Sequence, residues 1–451
     1  MGELPFDVLV VGGGPGGSVA ATVLARAGAR VALLDKATFP RDKACGDLVG
    51  PRGVQMLADL DISLPAGPVV GNMRVLGPGC RRVRLPSSEG ITYPGHGRVI
   101  PRAQLDALLH DEAQRCGATS FTGRAEEPLF DNGALIGFRT SAGDVLRART
   151  VIGADGATSR VAAVSGLVDP DRVLWGFAVR TYLPQSVDLP TIVMWDLDRW
   201  RSLPGYGWIF PGEIGTANVG LGVGTLSKRT GAAVAPKLLP DFMKHLRSAG
   251  MIDNRCHSDA GRILGGWLKM GMVGTTPAVG NVLLVGDAAG LVNPLQGEGI
   301  AQAMTSGRAA AEAVIRSPGQ AANAYTDVLA GDHLPYQRVT AALQSVLLER
   351  PMLVAALGRL LTAPGFGRAM SGGWAVFWNE LLDGAPPGRA RRVASVATAI
   401  GDLATRHTDT ARWFDRAYYR RGREPETPYL GPDLEAAWAG IDRSVRRGVR
   451  G

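Results

Sequence analysis

Gly12, Gly14 and Gly17 stand in G-x-G-x-x-G spacing, and Asp35 follows at the distance of a ribose-binding acid. This pattern binds the diphosphate of a dinucleotide. Gly12 permits a tight turn, Gly14 lets a phosphate approach bare backbone, and Gly17 lets the next helix pack close to the strand. The helix end adds free N–H groups and the positive end of its dipole. The glycines alone are weak evidence. Here they follow an apolar strand, Asp7 to Val11, and lead into a helical run, Ser18 to Ala27, and a second strand, Val31 to Leu34. Gly16 and Lys36 complete the predicted contacts of this turn.

A second group lies late in the chain. The apolar run Asn281 to Val285 ends in Gly286-Asp287-Ala288-Ala289, and Pro294-Leu295-Gln296-Gly297-Glu298-Gly299-Ile300 opens a helix expected to reach Ile315. Asp287 at a strand end suits a ribityl hydroxyl, and the glycine-rich helix start at Gly297 and Gly299 suits the N1–C2=O edge of a flavin. The cofactor expected from the two motifs together is FAD.

These groups need two kinds of scaffold. Parallel βαβ units account for residues 1–65, 95–165 and 275–320, with Val151 to Ile152 as another buried strand and Gln104 to Arg115 as a helix. Short alternating strands fill residues 66–94 and 166–274, among them Gly176 to Leu183, Thr191 to Asp196, Gly207 to Phe210 and Thr216 to Val223, then a helix near Leu238 to Ser248. Residues 321–451 read as a helical C-terminal region. The expected fold is α/β: a Rossmann-like FAD-binding domain interleaved with an antiparallel-sheet substrate domain, plus helices. Gly220-Leu221-Gly222-Val223-Gly224 imitates a nucleotide turn but has no close helix or downstream acid, so it reads as a glycine-rich strand.

With Asp155-Gly156 and with Arg102 heading its helix, the two motifs resemble the FAD-binding frame of the aromatic-hydroxylase-like flavoproteins over about the first 320 residues. Two further stretches are similar to the geranylgeranyl reductase family: Phe39-Pro40-Arg41-Asp42-Lys43-Ala44-Cys45-Gly46-Asp47, and Tyr206-Gly207-Trp208-Ile209-Phe210-Pro211, its Y-x-W-x-F-P motif. The resemblance implies that Gly17, Asp35, Cys45, Gly46, Arg102, Ala125, Asp287, Gly299 and Ile300 contact FAD. It implies that Tyr206 and Trp208, continued by Phe210 and Pro211, line an apolar isoprenoid tunnel; the alternative for these rings is sheet-core packing. Leu48 departs from the family, which usually has a small residue there, and a bulky side chain beside the ring would reshape substrate access.

The implied activity is hydride delivery from reduced flavin to an isoprenoid C=C bond, completed by a proton. Cys45 reads as that proton donor, as a packing residue beside the flavin, or as an inert thiol. Tyr206 and Trp208 are the other catalytic candidates, through stabilisation of developing positive charge. The substrate is a prenyl quinone such as menaquinone, a prenyl diphosphate or a prenyl lipid. No second Rossmann unit exists for NAD(P)H, so the reductant binds transiently or is a protein electron carrier. A monooxygenase on the same fold is the competing reading; a halogenase, which carries W-x-W-x-I-P, is disfavoured by Tyr206 and Phe210. A non-catalytic prenyl escort is disfavoured by Arg102, Asp155 and Asp287.

Bulk properties add limits. The 451 residues carry a formal charge of +8, with 49 Lys and Arg against 41 acids. Residues 389–451 alone hold thirteen Arg against eight acids, suited to an anionic membrane surface or a diphosphate, or simply solvated. No basic platform with interleaved aromatics points to nucleic acid. Cys45, Cys80, Cys116 and Cys256 form no C-x-x-C pair, so neither a disulfide framework nor a metal site is expected. The N-terminus does not read as a signal peptide, and no apolar run of about 18 residues suggests a spanning helix. The expected location is cytoplasmic, with contact to the membrane periphery. Trp374, Phe377, Trp378, Leu381 and Leu382 form one apolar helical stripe, either core, lid or interfacial contact.

Overall fold

The computed structural model of the chain describes residues 5–85, 93–194, 205–213, 215–225, 228–253, 261–363, 365 and 399. Its strands form an eight-stranded sheet, a seven-stranded sheet and a three-stranded sheet. The apolar first strand, Phe6–Val11, lies inside the largest sheet. Its residues Val8 to Val11 are at most 4% exposed, which fits a parallel strand covered on both faces. Val31–Asp35 and then Thr119–Thr122 run parallel to it on one side, Val145–Gly153 and then Val282–Leu284 on the other. The carboxyl ends of these strands therefore share one edge, where the glycine turn, Asp35, Asp155 and Asp287 all follow. Open α/β sheets bind ligands along that edge.

Helix Pro15–Arg26 starts three residues earlier than expected, because Pro15 at its first position is preset for a helical φ. It crosses helix Ile300–Arg316 at a contact that tolerates no side chain. A Cβ on Gly16 would lie 2.8 Å from the Ala303 carbonyl oxygen, and one on Gly307 would lie 2.2 Å from that of Gly16. An antiparallel hairpin, Ala125–Asp131 and Ala134–Thr140, extends the sheet from Val145–Gly153. Its two-residue Asn132-Gly133 turn has positive φ at both positions, the geometry that turn requires.

The seven-stranded sheet runs in the order Leu264–Met270, Leu174–Leu183, Ala217–Thr225, Gly205–Pro211, Thr191–Met194, Met73–Leu76 and Arg82–Leu85. All neighbours are antiparallel except Thr191–Met194 with Met73–Leu76. Strand alternation sets the two faces of Gly205–Pro211 to different tasks. Gly207 faces helix Lys228–Ser248, where Phe242 leaves no room for a Cβ. Tyr206, Trp208 and Phe210 face the other way.

The smallest sheet joins Leu48–Val49, Gly97–Val99 and Val69–Val70. It ties the segment after Cys45 to the segment before Arg102: Leu48 pairs with Val99, and Ile100 N donates to Asp47 O at 2.8 Å. The predicted C-terminal helices appear as Ala321–Asp332, Leu334–Glu349 and Pro351–Leu361. The aromatic stripe from Trp374 to Leu382 and the Arg-rich tail lie outside the described residues. No described helix is long and apolar enough to cross a membrane.

Candidate active site

The glycine turn is built to receive an anionic, extended ligand. Gly12 adopts φ +108°, and its missing Cβ would collide with the Ala154 carbonyl at 2.3 Å. Gly17 approaches the Gly12 carbonyl so closely that a Cβ would sit 1.8 Å from it. Gly14 is the N-cap of helix Pro15–Arg26 and makes no side-chain cap, so the helix end is left for a ligand. Gly13 N donates to Asp35 Oδ2 at 2.7 Å and Ala37 N to Asp35 Oδ1 at 2.9 Å, fixing that carboxylate beside the turn. Arg41 adds a cation there: Nη2 lies 3.8 Å from Asp35 and Nη1 2.9 Å from Asp106. Its guanidinium also lies over the Phe39 ring, which stacks on His110 with centroids 4.2 Å apart.

Cys45 and Asp47 close the next part of the site. Arg102 is buried and forks onto Asp106 with two 2.7 Å hydrogen bonds. Its charge also acts on the Cys45 thiol. Burial pushes the thiol pKa up, and the Arg102 charge partly opposes this. Cys45 therefore keeps its proton at neutral pH. Asp47 is 1% exposed and adopts φ +61°. Its Oδ2 accepts from the Tyr182 hydroxyl and from Asn218 Nδ2 at 2.7 Å, and its Oδ1 from Arg102 N at 3.3 Å. Burial raises its pKa, while those two donors and the charges of Arg180 and Arg102 resist. Asn218 Nδ2 donates also to the Cys45 carbonyl at 2.8 Å, and Asn218 Oδ1 accepts from Trp208 Nε1 at 2.9 Å.

The aromatic strand meets both cofactor segments. A Cβ on Gly46 would lie 3.1 Å from Phe210 and 3.5 Å from Trp208 Nε1. The Tyr206 hydroxyl donates to the Gln296 carbonyl, and a Cβ on Gly297 would lie 3.0 Å from that hydroxyl. Burial, with Cys45 and Glu298 nearby, pushes the Tyr206 pKa up, so the phenol stays neutral. Gly299 is the N-cap of helix Ile300–Arg316 and supplies no side-chain cap; Glu298 Oε1 accepts from Ala301 N at 2.9 Å. Lys43 Nζ stands 3.7 Å from Asp287 Oδ2. The Cys45 loop, the Gly299 helix end and the aromatic strand thus converge.

The tunnel expected along Tyr206 and Trp208 differs from what is seen. Trp208 and Phe210 are 5% and 7% exposed and close an apolar cluster with Val70, Met73, Val75, Leu85 and Val99, against which Leu48 packs. The reason is Gly220 on the neighbouring strand, where a Cβ would lie 2.2 Å from Trp208, so the indole fills the space that this glycine leaves open. This also explains the glycine-rich strand: Gly220 clears Trp208 and Gly224 clears Gln344. Tyr206 remains half-buried. A separate cavity of about 910 Å³ has Pro211 in its wall, with Val69, Val99, Pro101, Gln104 and Glu213.

Other predicted residues have structural duties. Gly16 and Gly286 pack against Ala303 at the helix crossing. Asp155 accepts from Ser159 Oγ, Arg160 N and Val161 N, capping the short helix Arg160–Val164. Gly156 turns with φ +83°. Ala125 follows Gly123, whose N–H donates to Asp35 O at 2.8 Å, and Lys36 is exposed just past Asp35. Asn218, Tyr182 and Asp106 stand in no motif of the sequence, and Arg41 and Asp47 stand in the family-like segment without a role that the sequence assigns. Asn218 left one trace, an isolated amide among the apolar and glycine residues of its strand.

The residues fit FAD. Two helix ends without a side chain at the N-cap, Gly14 and Gly299, and a buried acid-bearing strand edge form a cradle that side chains would fill. Fold and site define an FAD-dependent oxidoreductase. The FAD binding domain family matches residues 5–172. Menaquinone reductase of Mycobacterium tuberculosis is 35% identical over 318 residues, covering 68% of this chain and 76% of that protein. Geranylgeranyl diphosphate reductase of Rhodobacter capsulatus is 32% identical over 324 residues, covering 69% and 75%. A geranylgeranyl bacteriochlorophyll reductase-like protein of Thermoplasma acidophilum has the same fold, with TM-score 0.60 at 22% identity over 91% of this chain and 99% of that one. A flavin-dependent brominase shares it too, with TM-score 0.62 at 18% identity over 88% and 99%. The chain belongs to the geranylgeranyl reductase family of FAD-dependent oxidoreductases.

Proposed function

We propose that this enzyme saturates C=C bonds of an isoprenoid chain, with a prenyl quinone as the preferred substrate. The observation that carries the reading is the meeting of Cys45, Tyr206 and the Gln296–Gly299 turn, where a protonated thiol and a neutral aromatic ring border the flavin-side helix end. The relatives named menaquinone reductase support the quinone over other prenyl compounds. FAD, once bound and reduced by the external reductant, would supply the hydride equivalent that an unactivated alkene requires.

The chain's own residues do the rest. Gly12, Gly14, Gly17, Asp35 and Arg41 would hold the adenosine diphosphate end of FAD, and Asp287, Gly297, Gly299 and Ile300 the flavin end. Cys45 gives its proton to the second alkene carbon, and the Arg102 guanidinium beside it stabilises the thiolate left behind. Asn218 and Asp47 hold the Cys45 backbone in place. Tyr206, half-buried at the mouth of the closed cluster, gives apolar contact and a π face to the reacting carbons, and Trp208 packs behind it. The reductant is NAD(P)H in transient contact or a protein carrier. A membrane-borne substrate brings the enzyme to the cytoplasmic membrane surface, for which the Arg-rich segment 389–451 is suited.

The test is product analysis. Enzyme reduced with dithionite under anaerobic conditions, freed of excess reductant and given a prenyl quinol, should yield a product whose side chain is heavier by two hydrogens. A product that forms only with oxygen and contains it would establish a monooxygenase instead.

A further inference from the structure

Lys269 lies on strand Leu264–Met270, opposite Trp175. It is 0% exposed, and its Nζ has no hydrogen-bond partner. The stem runs along the turn that follows Asp287: its Cγ would be 3.5 Å from a Cβ on Gly290. The ammonium feels two carboxylates, Asp155 and Asp287, each engaged elsewhere. Asp155 caps its helix, and Asp287 faces Lys43. A buried ammonium without a hydrogen-bond acceptor is costly, and proteins keep one where an acceptor joins it. Burial pushes its pKa down to about 7 against the pull of the two carboxylates.

Both carboxylates end central parallel strands, on the sheet edge where the dinucleotide turn also lies. A substrate-sheet residue thus places its cation at the cofactor edge of the other sheet. We infer that Lys269 is a cofactor-binding residue, donating from Nζ to an oxygen of the ribityl–diphosphate span of bound FAD beside Asp287. None of the sequence motifs includes it, and the inference is independent of which alkene is reduced.

The test uses the full chain stripped of flavin, with FAD as the titrant. Lys269→Met keeps the stem and removes the charge. The FAD dissociation constant should rise about 10- to 100-fold, the range for losing a charge-assisted hydrogen bond. The thermal midpoint of the flavin-free K269M protein should equal or exceed that of the parent, because an unpartnered buried cation has gone. FAD should then raise that midpoint less than it raises the parent's. Unchanged FAD affinity overturns the assignment. So does a destabilised flavin-free variant that gains as much from FAD as the parent does. If K269M fails to fold, Lys269→Gln, which keeps a donor without the charge, is titrated by the same criteria.

Discussion

Asn218 donates to the buried carboxylate of Asp47 at 2.7 Å across 171 residues of sequence. The same amide nitrogen holds the Cys45 carbonyl, and the amide oxygen accepts from Trp208. One side chain of the antiparallel sheet thereby sets the position of the thiol loop relative to the aromatic strand. Asn218→Leu leaves an indole N–H and a carbonyl without partners in a dry interior. It should cost about 2–4 kcal/mol of unfolding free energy. Denaturant unfolding measures the loss, and FAD titration should show affinity within a few-fold of the parent, since the dinucleotide end is untouched.

Cys45→Ala separates proton delivery from cofactor binding. The variant should purify yellow and accept electrons from dithionite at the parental rate. Its single-turnover alkene reduction should fall by about 10²- to 10⁴-fold, the range for loss of a general acid. Parental turnover would assign the proton to another group.

Gly220→Ala probes the seat of Trp208. The added Cβ would lie 2.2 Å from the indole and 2.5 Å from the Val179 carbonyl oxygen, which cannot swing aside. Overpacking of this kind costs about 1–3 kcal/mol. Thermal unfolding reads the cost. Tryptophan fluorescence should shift as the indole leaves its contact with Asn218.

Much of this site was legible locally. Gly12, Gly14, Gly17 and Asp35 fall within one βαβ unit, so their spacing alone encodes their geometry. Asp287 and Gly299 follow the same logic. Gly220 and Gly222 could be excluded as a nucleotide turn, but their actual task, clearance for an aromatic ring on the next strand, depends on sheet register. Asn218 and Lys269, and the role of Asp47 within its family-like segment, were illegible for that reason: each acts through a partner far away in sequence, and nothing nearby marks which way its side chain points. The closed cluster around Trp208 and Phe210 was missed likewise, because an apolar face reads the same whether it lines a channel or fills a core.

His333 predicts acid sensitivity. It is buried, with Nδ1 2.9 Å from Gln302 Oε1, and burial together with Arg52 holds its pKa well below the usual 6.5. The folded state keeps the ring neutral while the unfolded chain takes up a proton below that value. Stability should therefore decline as pH falls below 6.5, by at most about 1.4 kcal/mol per pH unit from this residue, down to the folded-state pKa. Denaturation midpoints across that range should fall more steeply for the parent than for His333→Gln.

The central claim is that electrons held on the flavin leave to a prenyl double bond. The direct measurement is anaerobic rapid mixing of dithionite-reduced enzyme, freed of excess reductant, with a prenyl quinol, following the visible flavin absorbance. A quinol head cannot accept electrons, so only the side-chain alkene can reoxidise the cofactor. The account predicts return of the oxidised spectrum with the unsaturated chain and none with its saturated counterpart. A flavin that stays reduced with every prenyl quinol and reoxidises only when oxygen is admitted would contradict it.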